Sequence, residues 1–347
     1  RFRTGRIPVT RAPVTAGAGA DAALADVATA IREDDRFLLT AHEGPDGDAL
    51  GSLLAMHAVL EQLGKDSVMF LASKEFPLPI EYRFLSLEEV FHEAPADLAD
   101  RTIVFLDCGN IDRMPVDWLK HPEGRILNID HHHDNTRFGD VNLVDVEASS
   151  TAEIVFELAN VLEAKITPEI ADALYVGLVT DTGRFMYENT DARAHRMAAD
   201  LIEAGVDVHD IYRRLYERVP VEKLRLISRA LDKVERLPEC GVAVTYVESS
   251  DYEATGSSEV MTEGIIDYVR SIEGTEVAAF VRDKTDDGRA ARKVSLRSTG
   301  AVDVSAIARE HGGGGHRRAA GFSTDLPYRE VVEMLCDRVR AQHQPGG

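Results

Sequence analysis

The segment RFLLTAHEGPDGDALG (residues 36–51) is typical of a short strand that passes through a polar loop into a helix. The five residues after Arg36 are apolar or β-branched, which indicates a buried strand. A helix is predicted after the loop because leucines recur at helical spacing: Leu50, Leu53, Leu54, Leu60 and Leu63. Gly64 is predicted to end this helix. A strand, a loop and a helix in this order form the repeating unit of a parallel α/β sheet.

The same alternation continues through the first half of the chain. Three more short apolar runs are predicted as buried strands: 66–71, 102–106 and 125–129. Ser150 and Glu153 form a capping-box pattern that begins a helix, and a further helix is predicted over 170–181. The first half is therefore predicted to be an α/β domain with a mainly parallel sheet flanked by helices.

The second half has a different pattern. Polar helical sequence over 191–237, with a break at Pro220, is predicted as a linker. Strands are predicted beyond it over 242–247, 276–282 and 293–298, with helices over 260–272 and 328–340. The predicted organisation is a loose tail (1–20), an α/β domain (21–190), a helical linker (191–237) and a smaller, mixed α/β domain (238–347).

Size and charge exclude several classes of protein. The 347 residues are enough for two domains with their own cores. Asp and Glu number 60 against 39 Lys and Arg, and the net charge of −21 has the wrong sign for a protein that grips long nucleic acid. No apolar run approaches the ~18 to 20 residues that cross a bilayer, so no membrane partner is expected. The three scattered cysteines indicate neither a disulfide framework nor a cysteine metal site, and we expect a protein of the reducing cytoplasm.

Acidic residues and histidines follow several predicted strands. The segment HEGPDGD (42–48) follows the first strand, Asp107 ends the third, DHH (130–132) ends the fourth, and Asp181 closes a helix. Because the carboxyl ends of parallel strands lie at one edge of a sheet, we expect these side chains to meet. One such Asp alone is more often a turn or helix-cap residue, but carboxylates gathered closely need a compensating cation. The set predicts two divalent ions. Oxygen and imidazole ligands without thiolate favour Mn²⁺ over Zn²⁺, with Mg²⁺, Co²⁺ and Fe²⁺ as alternatives.

A run of four glycines, residues 312–315, precedes His316 near the end of the chain. Glycines let the backbone approach an anion and direct successive N–H groups towards it. In isolation the same run is typical of a flexible loop. The run is therefore a candidate phosphate-binding segment.

These motifs together resemble the DHH phosphoesterase superfamily, named after the motif that stands here as Asp130-His131-His132. Its other motifs are matched by HEGPDGDALGS (42–52), Asp107 and DTG (181–183). The associated DHHA1 domain is matched by segments within 263–274, by VSLRS (294–298) and by GGGGHRRAAG (312–321). The resemblance covers about residues 25–345 and implies an N-terminal DHH catalytic domain followed by a DHHA1 domain that binds the substrate.

The resemblance also implies a role for each motif residue. The implied metal ligands are His42 and Asp46 for one ion, Asp48 and His131 for the other, and Asp107 and Asp181 for both. The implied catalytic residues are His132, facing the phosphate, and Asp130, orienting a ligand histidine. The implied substrate-binding residues are Arg297, Gly313, Gly314, Gly315 and His316.

Within the superfamily, the two-domain layout is most similar to the group of nanoRNases and pAp phosphatases. That similarity implies that two metals activate a water to hydrolyse short RNA or DNA oligonucleotides such as pApA from an end. It also implies dephosphorylation of 3′-phosphoadenosine 5′-phosphate (pAp), with long duplexes excluded and a homodimer common in the family. A cyclic di-AMP phosphodiesterase is the main alternative. A non-catalytic nucleotide-binding regulator and an inorganic pyrophosphatase are the remaining hypotheses.

Overall fold

A computed structural model of the chain describes residues 18–114, 116–120, 124–284 and 292–343. The first part contains helices α1 (Ala18–Glu33), α2 (Gly47–Gln62), α3 (Asp117–Lys120), α4 (Thr151–Val161) and α5 (Pro168–Asp181). Its strands are β1 (Arg36–Ala41), β2 (Asp66–Phe70), β3 (Thr102–Leu106), β4 (Ile126–Asp130) and β5 (Val141–Val144). The connecting helices are α6 (Ala192–Ala204), α7 (Val208–Tyr212) and α8 (Val221–Asp232).

The last part contains a second set of strands and helices. Its strands are β6 (Glu235–Leu237), β7 (Val242–Val247), β8 (Val277–Asp283), β9 (Arg292–Ser298), β10 (Gly314–His316) and β11 (Ala319–Thr324). Its helices are α9 (Ser249–Thr255), α10 (Ile265–Arg270), α11 (Val304–Arg309) and α12 (Tyr328–His343). Among the described residues, no helix combines the length and the apolar character that crossing a membrane requires.

The first sheet has five parallel strands in the order β2-β1-β3-β4-β5. Side chains on both of its faces are buried: Leu39 packs with the helices of one layer, and Leu38 packs with Phe105 and Leu119 on the other side. Burial on both faces explains why these strands are continuous apolar runs. The parallel sheet predicted for the first half is confirmed, and all its strands end at the same edge.

Helices α2 and α5 lie in direct backbone contact beside this sheet. A β-carbon on Gly51 of α2 would overlap the carbonyl oxygen of Ala173 in α5. A β-carbon on Gly177 of α5 would lie 2.6 Å from the Ala152 side chain and 2.8 Å from a carboxylate oxygen of Asp48. Glycine at both positions therefore lets the two helices approach closely, which brings Asp48 near the end of α5.

Helix α4 begins where its capping pattern predicts. The Ser150 side chain accepts a hydrogen bond from the Glu153 backbone N–H at 3.1 Å. The Glu153 carboxylate does not bond back to the Ser150 backbone N–H. It accepts hydrogen bonds from the backbone N–H and the hydroxyl of Ser149 instead. The cap therefore fixes two consecutive serines just before the helix.

The second sheet is mixed, in the order β10-β11-β9-β8-β7-β6, with only β7 and β8 parallel. Helices α8 to α10 cover one face and α11 and α12 contribute to the other. The mixed α/β prediction is confirmed. The predicted helix over 260–272 is shorter in the structure because Gly264 adopts a left-handed backbone, with φ of +83°, just before α10.

The expectation that no cysteines pair is wrong for Cys240 and Cys336. The structure joins them in a disulfide, with 5.3 Å between their Cα atoms. Cys240 follows β6 and Cys336 lies on the buried side of α12, which packs on this sheet. Because the two positions are 96 residues apart, only the tertiary packing of α12 brings them together.

Candidate metal centre

The first group of candidate ligands lies where β1 ends and α2 begins. Asp46 is the N-cap of α2, and one of its oxygens accepts the backbone N–H groups of Asp48 and Ala49 at 3.0 and 3.1 Å. His42 is buried, and its Nε2 lies 3.5 Å from a carboxylate oxygen of Asp107. The His42 Nδ1 lies 2.8 Å from the carbonyl oxygen of Glu43, which orients the ring.

Asp107 occupies the centre of the cluster. It follows β3 directly and has a left-handed backbone, with φ of +56°, a conformation that costs a non-glycine residue about 1 kcal/mol and that Asp tolerates better than most. One carboxylate oxygen lies 3.5 Å from Nε2 of His131 and accepts a 3.0 Å hydrogen bond from the Thr151 hydroxyl. The other lies 3.5 Å from Nε2 of His42. Asp107 thus touches both halves of the site.

The second group joins β4 to the helices. Nε2 of His131 lies 3.7 Å from an oxygen of Asp48 and 3.6 Å from an oxygen of Asp181. Asp48 sits on the N-terminus of α4, where its oxygens accept the backbone N–H groups of Thr151 at 2.6 Å and Ala152 at 2.8 Å. The positive end of the helix therefore favours the charged form of Asp48 at a buried position.

Asp130 orients His132. The Asp130 Oδ1 lies 2.7 Å from Nδ1 of His132, and its other oxygen accepts a hydrogen bond from the Asn135 amide at 2.6 Å. Both side chains of the pair are buried. A carboxylate on Nδ1 fixes the orientation of the ring, so the effect of Asp130 falls on His132 rather than on His131. The Nδ1 of His131 faces the carbonyl oxygen of Ala148 at 3.3 Å.

The carboxylates in the cluster perturb one another strongly. Burial, followed by the charges of Asp107 and Asp181, raises the pKa of Asp48 well above its usual range. Burial likewise raises the pKa of Asp181 to about 7. Burial alone would lower the pKa of His131, but the charges of Asp181, Asp107 and Asp48 raise it to about 10. An enclosed site that gathers this much negative charge favours a cation, and divalent ions would relieve the repulsion.

The donor atoms fit divalent ions in number and kind. Three overlapping groups have ligand atoms within 4.8 Å of one another: His42, Asp46 and Asp107; Asp48, His131 and Asp181; and Asp107, His131 and His132. All are oxygen or imidazole donors, and Asp107 and His131 each belong to two groups. The structure thus brings together every side chain that the sequence proposed as a metal ligand. Their arrangement suits two ions that share Asp107.

Three polar residues that sequence reasoning missed support the cluster. Thr151 bonds to Asp107, Asn135 bonds to Asp130, and the Asn189 amide donates to an oxygen of Asp181 at 3.2 Å. None belongs to a recognisable motif. Of the three, only Thr151 had a signal in the sequence: it directly follows the Ser150 cap, which marks the start of a helix.

The glycine run forms a strand instead of a free loop. Gly314 to His316 pair with β11, and β-carbons on Gly313 and Gly315 would crowd that strand, 2.6 Å from Phe322 and 2.8 Å from Ala320. No described atom lies within 4 Å of a β-carbon on Gly314, so open space remains beside it. The His316 side chain lies outside the described residues. Tight packing therefore explains the glycines at 313 and 315 independently of any phosphate-binding role.

Arg297 lies on β9, and its charge acts on a residue of the first domain. It is half-buried, and its guanidinium donates to the carbonyl oxygen of Leu296. Burial and Asp267 raise the pKa of Tyr187, and the charge of Arg297 opposes this rise, so Arg297 acts on a residue beyond the domain boundary. The Tyr187 hydroxyl also donates to Asp267 at 3.1 Å, with the Arg270 guanidinium 4.5 Å from its ring centre. The second domain therefore contacts the segment that follows Asp181.

Comparison with known proteins agrees with this geometry. The DHH family, N-terminal domain, matches residues 36–178, and the DHHA1 domain matches residues 241–342. The bifunctional oligoribonuclease and PAP phosphatase NrnA of Thermus thermophilus is 34% identical over 86% of this chain and 88% of its own length. The protein of the same name from Bacillus subtilis is 29% identical over 87% and 93%. The cyclic-di-AMP phosphodiesterase GdpP of Geobacillus thermodenitrificans is 25% identical, and the match covers 91% of this chain but only 49% of that protein.

A solved structure shares the whole fold. The crystal structure of an exopolyphosphatase-related protein from Bacteroides fragilis superposes with a TM-score of 0.79 over 92% of this chain and 96% of that one, at 24% identity. The matches to both domains and the 34% identity over most of the length point to one family. The chain belongs to the DHH and DHHA1 family of phosphoesterases, hydrolases that act on phosphoester bonds.

Proposed function

We propose that the protein hydrolyses short oligonucleotides, including pApA, and removes the 3′-phosphate of pAp at a centre of two divalent ions. The observation that carries the proposal is the convergence of six candidate ligands at one edge of the parallel sheet, facing a DHHA1 domain. The ligands are His42, Asp46, Asp48, Asp107, His131 and Asp181. The names of the NrnA relatives supply the substrate class, and the acidic net charge of −21 supports small substrates over long nucleic acid.

We assign His42 and Asp46 to one ion, Asp48 and His131 to the other, and Asp107 and Asp181 to both. When bound, two divalent cations, with Mn²⁺ our first choice, supply a hydroxide near neutral pH and stabilise charge on the phosphoryl oxygens. The chain itself fixes the ligands: the α4 N-terminus holds Asp48, and Thr151 holds Asp107. This fixed geometry limits the reorganisation needed at the moment of reaction.

His132 is the proposed catalytic residue that contacts the phosphate. Asp130 and Asp107 act on it, and although burial opposes the change, Asp130 raises the pKa of His132. An imidazole held in this way can donate a hydrogen bond to a phosphoryl oxygen and a proton to the leaving alkoxide. Arg297, Gly313, Gly314, Gly315 and His316 are the proposed substrate-binding residues.

The test uses metal-free protein reconstituted with Mn²⁺. We expect release of phosphate from pAp and of mononucleotides from pApA and a 5-mer RNA, with a 30-mer and a duplex much slower. Asp107→Asn should lose at least about a hundredfold in turnover while keeping the wild-type circular dichroism spectrum, because one shared ligand charge is gone. Full Mn²⁺-dependent activity of Asp107→Asn, or equal rates on the 5-mer and the 30-mer, would contradict the proposal.

The same assay decides between the proposed function and its alternatives. Cyclic di-AMP should be a poorer substrate than pApA, because the match to the cyclic-di-AMP phosphodiesterase is weaker than the matches to the NrnA proteins. Turnover of cyclic di-AMP above that of pApA and pAp would favour the alternative. Mn²⁺-loaded protein that binds pAp without releasing phosphate would instead identify a nucleotide-binding regulator.

A further inference from the structure

Strand β9 has an apolar face and a polar face. Val294 and Leu296 are fully buried in the core of the second domain. The residues that alternate with them point to the other face of the sheet, and all three are polar and half-buried: Lys293, Ser295 and Arg297. This arrangement places two cations on one face of one strand.

The strand beside this face carries small side chains. In the antiparallel pairing with β11, Lys293 lies opposite Ser323, Ser295 opposite Gly321, and Arg297 opposite Ala319. Directly opposed residues share a face of the sheet. On the β11 side, the surface next to the two cations is therefore low, whereas on the β8 side Ser295 lies opposite the buried Phe280.

The two cations act on different segments of the first domain. A β-carbon on Gly44 would lie 3.7 Å from Nζ of Lys293, and Gly44 stands between the candidate ligands His42 and Asp46. Arg297 acts instead on Tyr187, whose ring fills the space that a β-carbon on Gly183 would need, two residues after Asp181. Strand β9 therefore lies beside the Gly44 loop at Lys293, and the charge of Arg297 acts on the segment that follows Asp181.

Among the described residues, Lys293 has no carboxylate partner, unlike the basic residues around it. Arg282, its neighbour on β8, pairs with Glu259 at 3.1 Å, and Arg292 pairs with Asp283 at 3.4 Å. Glu43, an acid of the metal loop, bonds to Lys74 at 2.7 Å. Burial and then the charge of Arg282 lower the pKa of Lys293, while the charges of Glu263 and Glu259 oppose this change without forming a salt bridge. In a chain of net charge −21, a cation without a salt-bridge partner among the described residues suits an anionic ligand.

We propose that Lys293 binds a phosphate group of the substrate beside the Gly44 loop. Four residues of strand separate Lys293 from Arg297 by about 13 Å, so a single phosphate cannot contact both cations. In a substrate with two phosphoryl groups, such as pAp or pApA, one can lie at the metals while the other contacts Lys293, whereas a diester with a single phosphate needs only the metals. This inference rests on the proposed function and adds the residue that selects substrates with a second phosphate.

A purely structural role for Lys293 would be visible as a bond that holds the Gly44 loop, and no such bond exists among the described residues. The Gly44 backbone N–H donates to Glu75 at 2.7 Å, and Glu43 is held by Lys74. The loop therefore has its own supports within the first domain. Within the described part of the chain, Lys293 adds charge beside this loop without adding a hydrogen bond to it.

The test compares Lys293→Met with wild type on three substrates: pApA, pAp and bis-p-nitrophenyl phosphate, a diester with one phosphate. Loss of a charged hydrogen bond should raise the KM for pApA and pAp by about tenfold or more. The kinetics with bis-p-nitrophenyl phosphate and the melting temperature should stay near wild type. Lys293→Arg should restore much of the affinity, and Lys165→Met, which removes an exposed lysine between α4 and α5, is the matched control.

Three results would overturn the inference. One is an unchanged KM for pApA in Lys293→Met, and another is an equal loss on all three substrates. The third concerns calorimetric binding of pApA to the metal-free protein: equal dissociation constants for wild type and variant, or no binding by the wild type at millimolar pApA. If the wild type fails to hydrolyse pApA and pAp, the proposed function fails by itself, and the calorimetric comparison still tests Lys293.

Discussion

At the residue scale, the most informative side chain outside the predicted ligand set is Thr151. Its backbone N–H donates a hydrogen bond to Asp48, and its hydroxyl donates one to Asp107. One residue therefore positions the carboxylates that follow two different strands. Groups that hydrogen-bond to metal ligands fix the orientation of those ligands. Thr151 is therefore a positioning residue for the candidate centre.

Thr151→Val should weaken Mn²⁺ binding or turnover by about 10- to 100-fold, because it removes the hydroxyl from Asp107 and keeps the backbone bond to Asp48. Thr151→Ser retains the hydroxyl and should stay close to wild type. Calorimetric titration of Mn²⁺ into the metal-free proteins measures the effect. Equal Mn²⁺ affinity of wild type and Thr151→Val would show that the hydroxyl does not position Asp107.

The sequence predicted the ligand residues far better than their supports. His42, Asp107 and His131 belong to motifs at strand ends, and the ends of parallel strands must meet. Thr151, Asn189 and Lys293 reach the site through packing between segments that are distant in the chain. Only Thr151 has a local signal, its position next to the Ser150 cap, and no motif marks Asn189 or Lys293. The disulfide between Cys240 and Cys336 was missed for the same reason.

At the scale of elements, the contact between α2 and α5 sets the position of the second ligand group. Asp48 lies in the first turn of α2 and Asp181 at the end of α5, and Gly51 and Gly177 let the two helices approach. Four of the five strands of the first domain were predicted nearly to the residue, because strands buried on both faces are continuous apolar runs. The edge strand β5 was not predicted, since it is short and only Leu143 in it is fully buried. The closeness of the helices was not predictable, since glycine within a helical pattern has several explanations.

Gly51→Ala should destabilise the protein although Ala is intrinsically the better helix former by about 1 kcal/mol. Its β-carbon would overlap the Ala173 carbonyl oxygen, and such overpacking costs about 1–3 kcal/mol. Chemical denaturation measures the difference, and Mn²⁺ affinity should fall with it as the helices separate. Glu61→Ala, an exposed change on the same helix, should be nearly neutral. A more stable Gly51→Ala protein would refute close packing of α2 on α5.

At the scale of the whole molecule, the connecting helices are tied to the first domain by a buried ion pair. Nζ of Lys223 in α8 lies 3.3 Å from a carboxylate oxygen of Glu81, and each residue is only 8% exposed. Burial raises the pKa of Glu81, while Lys223 opposes this rise. The pair links α8, which packs on the second sheet, to the catalytic part of the chain.

Lys223→Met should lower the free energy of unfolding by about 3–5 kcal/mol at neutral pH, because it leaves a buried carboxylate without a counter-charge. An acid with a raised folded-state pKa contributes most stability below its unfolded pKa and loses it as the pH rises through the folded value. The difference in the free energy of unfolding between Lys223→Met and wild type should therefore become smaller towards pH 4. Denaturation curves at several pH values measure this trend.

The double variant Glu81→Leu, Lys223→Met serves as the control, since it removes both charges and should recover most of the stability. A deficit of Lys223→Met that stays constant with pH, or that persists in the double variant, would show that the lysine acts through packing and not through Glu81.

The spread of the candidate ligands from His42 to Asp181 has a consequence for biosynthesis. A ribosome must release the whole segment from His42 to Asp181 before the last of these carboxylates can join the others. A nascent chain that ends earlier holds only fragments of the site, and a chain cut there should have little affinity for ions. Ion capture should then follow completion of this segment of the N-terminal domain.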